Sequence, residues 1–154
     1  MFWAVIAMLM LGQEAAVKDP VIFLTAGQVR EAIQKAPEDR SGRGGFYAAR
    51  LTAAPEYSVA EVRRTSAGRS ELHARFADIW YVLRGDATLV TGGSLIGGQE
   101  TEPGELRGRG VSGGDRRPIH GGEVVVIPAG VPHWISAVDG KEIVYLIVKV
   151  PSSR

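Results

Sequence analysis

Residues 122–134 read GEVVVIPAGVPHW. A β-branched run, Val124 to Ile127, meets Pro128, and Gly130 and His133 follow. Proline pre-sets the backbone angle of a turn and glycine supplies its freedom. The stretch therefore predicts strand, turn, strand, with His133 opening the second strand. A lone imidazole just past such a turn is either a ligand to something in the interior or a polar group bonded to a nearby carbonyl.

The same texture runs outward in both directions. FYAARLTA (46–53), YSVAEVRRTS (57–66), DIWYVLRG (78–85), DATLVTGG (86–93), HWISAVDG (133–140) and KEIVYLIVKV (141–150) are short apolar or alternating runs. Gly, Pro and Asp punctuate them, the signature of an all-β sandwich or barrel. One helix precedes them, in LTAGQVREAIQKAPEDR (24–40). Thr25 caps it, Gln28 completes a capping box, Val29, Ala32, Ile33 and Ala36 recur at helical spacing, and Pro37 ends it. EDRSGRGG (38–45) reads as a loop. Residues 92–122 hold 11 of the 20 glycines, with four acids and four arginines. They predict a long Gly-rich loop insertion with one short strand near RGVSGG, acting as a surface decoration or a lid.

The bulk numbers narrow the function. A chain of 154 residues suits one domain. A formal charge of +1 gives no reason to expect nucleic acid as a partner. Cysteine is absent, which excludes disulfides, thiolate catalysis and cysteine zinc sites. The first residues, MFWAVIAMLMLG, carry no charge before Glu14. A bilayer span needs about twenty apolar residues, so this run matches a secretory signal better. The expected organisation is a signal over 1–15, an N-terminal extension with the helix over 16–44, and a barrel over 45–154. Export to the periplasm or medium follows from that signal; a cytoplasmic protein is the alternative.

Gly108, Gly110 and Gly113 spell G-x-G-x-x-G, but a Gly-rich loop flanks them and no acid stands about twenty places on, so a dinucleotide site is rejected. His120, in PIHGGE, belongs to an exposed turn. Arg63, Arg64 and Arg69, in AEVRRTSAGRSE (60–71), read as a solvated face.

ELHARFADIWYVLRG (71–85) and GEVVVIPAGVPHW together resemble the two motifs of the cupin superfamily. The second pattern is Gly, five residues, Pro, one, Gly, two, His, three, Asn. Gly122, Pro128, Gly130 and His133 match it, and Ala137 stands where Asn belongs. The first is His-x-His, three or four residues, Glu, six residues, Gly. His73, Arg75, Asp78 and Gly85 are taken as its equivalents, with Arg75 for the second His and Asp78 for Glu. The resemblance implies a cupin jelly-roll barrel. A bulge between residues 75 and 78 would turn His73, Arg75, Asp78 and Trp80 inward together. His73, Asp78 and His133 then form a two-histidine, one-carboxylate set suited to Fe, and open to Zn, Mn or Ni. Arg75 has no lone pair to offer a metal and is expected to bind an anionic ligand beside Trp80. The alternatives are a metal-free binding module, in which Arg75 pairs with Asp78 and the pocket takes a metabolite or sugar, and a protein-interaction module using 92–122. The resemblance also implies pairing of two copies into a homodimer. Dioxygenase, isomerase and lyase chemistry all remain open.

Overall fold

The computed structural model describes residues 21–40 and 44–152. The run read as a secretory signal lies outside them. Helix α1, Ala26–Lys35, begins as its sequence dictates: the Gln28 amide donates to Thr25 Oγ1, and the Gln28 side chain accepts from the Thr25 amide at 2.8 Å. It stops because Ala36, the residue before Pro37, takes an extended conformation (φ −59°, ψ 126°). Ile33 is its buried residue, and the helix packs against the strands Phe46–Ala54 and Tyr57–Arg64.

The remaining elements are strands: β1 Glu38–Asp39, β2 Phe46–Ala54, β3 Tyr57–Arg64, β4 Ser70–His73, β5 Phe76–Thr91, β6 Ser94–Leu95, β7 Gln99–Glu102, β8 Glu105–Gly108, β9 Val111–Ser112, β10 Asp115–Ile119, β11 Val124–Ile127 and β12 His133–Pro151. A curled sheet runs β1-β2-β3-β12-β4-β8-β7, and β5 joins it through β12, β10 and β11. Every strand pairing among the described residues is antiparallel. The interior alternates along β5: Asp78, Trp80 and Val82 are buried, while Ile79, Tyr81 and Leu83 face out. Trp80 and Val82, with Leu89, Ile119, Ile127, Ile135, Ile143 and Tyr145, fill the core.

Two expectations need correction. The runs 78–85 and 86–93 form one strand, β5, and 133–140 and 141–150 form one strand, β12. Gly85 lies within β5 at φ 83°, and a Cβ there would come within 2.0 Å of the Glu142 carbonyl oxygen. The glycine bends the strand against its partner instead of ending it. Residues 92–122 are also no loop: β6 to β10 lie within them. β9 is the short strand expected there, β7 and β8 form a hairpin, and β10 pairs along β5 from Asp115↔Thr91 to Ile119↔Ala87. The glycines are dense because the turns are. Among the described residues, no helix is long and apolar enough to cross a membrane.

Candidate metal centre

Strand register assembles the site. On β4, Glu71 lies opposite His133 of β12, and His73 lies opposite Glu105 of β8. On β5, Asp78 lies between Ile127 of β11 and Lys149 of β12. Directly opposite residues share a face, so these pairings bring acids, imidazoles and a cation together. The turn that follows β11 fixes the last piece. Its Gly130 amide donates to the His73 carbonyl at 2.8 Å, and Val131 N–H closes on Pro128 O. Gly130, at φ 79°, takes the left-handed conformation that this turn requires. The turn thus docks on the backbone of His73 and carries His133 in beside it, the two rings 5.2 Å apart.

Both imidazoles present the same nitrogen. His133 Nδ1 is 3.1 Å from the Val131 carbonyl, an acceptor, so Nδ1 carries the proton. His73 Nδ1 is 2.5 Å from Glu105 Oε2. Each Nε2 is turned inward, buried and without a hydrogen-bond partner. Two carboxylates face them. Asp78 Oδ2 is 3.5 Å from His73 Nε2 and 3.6 Å from His133 Nε2; Glu71 Oε2 is 3.4 Å and 4.0 Å from the same atoms. Donor atoms of Glu71, His73 and His133 all lie within 4.8 Å of one another. An ion with bonds of about 2.1 Å sets tetrahedral donors about 3.4 Å apart, so the spacing suits a divalent metal. An outer hydrogen bond that fixes each ring is the usual support of histidine ligands.

The charges around the cluster are paired. Arg64 Nη2 reaches Glu71 Oε1 at 3.2 Å, Lys149 reaches Asp78 Oδ1 at 3.0 Å, and Arg107 reaches Glu105 Oε2 at 3.4 Å. Burial works to lower the His73 pKa, but the Asp78 and Glu71 carboxylates outweigh it and raise the value to about 9. His133, more deeply enclosed, is held below its ordinary value by burial. Burial alone would raise the Glu71 pKa; His73, Arg64 and Arg107 hold it well below the usual carboxylate range. Asp78 is lowered against the same opposition, by His73 and Lys149.

The three expected ligands, His73, Asp78 and His133, do come together. Trp80 also faces inward: its Nε1 is 3.4 Å from Asp78 Oδ2, and its ring stacks on Tyr145 with centroids 4.7 Å apart. Arg75 does not join them. β4 ends at His73, the chain bends through Ala74 and Arg75, and β5 starts at Phe76. The expected bulge is therefore a break between strands. Arg75 is exposed and donates to the Pro103 carbonyl at 2.6 Å. Asp78 pairs with Lys149 in its place.

Glu71 was missed, and its signal was present. Sliding the first motif two places puts Glu71 and His73 in the His-x-His positions, with four residues before Asp78, a gap the pattern allows. The four motif positions then read Glu, His, Asp, His. The solvated face is corrected as well. Arg64 is buried, bonded to Tyr145 Oη at 3.0 Å and lying over the Phe46 ring, and Arg69 lines a cavity. That cavity, ≈ 220 Å³, reaches the cluster through Glu71, Trp80 and Lys149 and has Phe46, Val62 and Ile147 among its walls. His120 is exposed as expected, paired with Asp86 at 2.8 Å.

No protein-family model matches the sequence, and no curated protein does. Solved structures do match the fold. A predicted oxalate decarboxylase from Thermotoga maritima aligns with TM-score 0.56 and 16% identity, over 78% of this chain and 96% of that one. The chain has the cupin fold. Further cupin neighbours include KdgF from Halomonas sp., at TM-score 0.53 and 15% identity over 77% of this chain and 91% of that one. Oxalate oxidase in complex with glycolate aligns at TM-score 0.55 and 20% identity, over 88% of this chain and 62% of that longer one. At these identities the likeness is one of fold alone.

Proposed function

We propose that the protein is a metal-dependent cupin that binds a small molecule in its barrel, with a divalent transition metal held by Glu71, His73, Asp78 and His133. The observation that carries this reading is the pair of buried Nε2 atoms, each without a hydrogen-bond partner and each facing two carboxylates. Buried polar atoms without partners are costly, and a metal is the partner that two imidazole lone pairs and two carboxylates share. Mixed nitrogen and oxygen donors suit Fe, Mn, Zn or Ni. A bound ion would supply Lewis acidity to a ligand entering from the cavity. Glu105 and the Val131 carbonyl hold the two rings in position, and Trp80 and Tyr145 wall the site.

Elemental analysis of untagged protein tests this. Metal close to one equivalent in the wild type, lost in a His73→Ala/His133→Ala double variant that still folds, is the expected result. Folded wild type without metal, even after incubation with Fe(II), Mn(II), Zn(II) and Ni(II), overturns it. The ion pairs Arg64–Glu71 and Lys149–Asp78 favour a second reading, a metal-free binding module, which that outcome would support. Within the same proposal the chain pairs with a second copy. Exposed Ile79, Tyr81 and Leu83 on β5 and Val124 and Val126 on β11 support this, and light scattering measures it.

A further inference from the structure

From the charge around the cluster we infer that the ligand of this site is a small organic carboxylate, bound between the metal and Arg69. The inference rests on the metal reading above. Each acid of the cluster already has its own cation: Glu71 has Arg64, Asp78 has Lys149 and Glu105 has Arg107. With both imidazoles neutral, the arriving divalent ion leaves two positive charges without a counter-charge. Arg69 adds another. It is half-buried, it lines the cavity, and no acid among the described residues pairs with it. Asp39 also lines the cavity and offsets at most one of these charges. Uncompensated charge in a partly enclosed site is unfavourable, so an anion is the occupant that this surplus stabilises.

Arg69 is placed to receive it. Its neighbour Gly68 is tied down on both sides, its amide to the Ile135 carbonyl at 3.2 Å and its carbonyl to Trp134 Nε1 at 2.8 Å. A cation on an anchored segment loses little freedom on binding. A guanidinium offers a planar fork that matches a carboxylate. Phe46, Val62 and Ile147 give the cavity an apolar wall, so the ligand carries a short hydrocarbon part behind its charged end. The ≈ 220 Å³ available is below the roughly 300–1,000 Å³ of pockets that take drug-sized ligands.

Calorimetry on the full, metal-loaded chain in carboxylate-free buffer tests the assignment. The probes are propionate and succinate, their amides, and inorganic phosphate. The carboxylates are expected to bind at least about tenfold tighter than their amides, since hydrogen bonds to charged groups are the stronger ones. Arg69→Gln lowers carboxylate affinity by about tenfold, Arg69→Lys restores part of it, and metal content stays unchanged in both. Amides that bind as well as carboxylates, an Arg69→Gln variant with wild-type affinity, or phosphate that binds as tightly as the carboxylates overturns the inference. Metal content is measured on the same samples. Full metal with no preference for carboxylates sinks the anion assignment and leaves the metal centre standing; no metal uptake removes both.

Discussion

His73 is the residue on which the centre turns. In the metal-free protein it is protonated at neutral pH, because two carboxylates raise its pKa to about 9, whereas burial keeps His133 neutral. A proton and a metal ion cannot share one lone pair. Metal binding at pH 7 is therefore expected to release close to one proton per ion, and affinity should rise about tenfold per pH unit up to about 9. Calorimetry in buffers of different ionisation enthalpy counts the protons. Glu105 steadies the same ring from behind. Glu105→Ala should cost about ten- to a hundredfold in metal affinity, read by competition with a chelator. His133 and Asp78 were legible in the sequence from their spacing to glycines. Glu71 gave a weaker signal, because a carboxylate stands there in place of the motif's first histidine. Arg64 and Arg69 were misread because a charge run shows its composition and not which side chains a closing sheet covers.

At the level of elements, two glycines separate backbone strain from collision. Gly130 has left-handed φ and open space around it, while Gly85 has the same hand of φ and the Glu142 carbonyl in the way. Gly130→Ala should therefore destabilise by about 1–2 kcal/mol, and Gly85→Ala by more, since β12 must also shift. Urea unfolding of the two variants checks the order. The turn and the helix were readable because proline, glycine and a capping threonine act over a few residues. The unbroken β5 and β12, and the strands within 92–122, were not. A glycine inside a strand and a glycine in a turn look alike until the partner strand is placed.

For the whole molecule, the same groups set how stability follows pH. His73, with its pKa raised, contributes stability that is complete below 6.5 and fades as pH climbs through about 9. His133, with its pKa lowered, acts oppositely: the unfolded chain takes up a proton below 6.5 that the folded chain resists, so stability falls there as pH drops. Glu71 and Asp78, both lowered, add a further loss in acid, below about 4.5 and 3.8. Metal-free protein should be most stable near pH 6.5, and chemical denaturation across pH 4–9 checks it. The cupin barrel itself was legible from Gly122, Pro128, Gly130 and His133. What lay beyond sequence was the register that sets Lys149 opposite Asp78 and Glu71 opposite His133.

Trp80 has one more consequence. Its indole nitrogen leans on Asp78, and its ring meets that of His133 edge-on at 5.8 Å. An emitter so close to the centre is quenched by a paramagnetic ion and spared by a closed-shell one. Fluorescence of the metal-loaded protein is therefore expected to fall with bound iron and to hold with bound zinc.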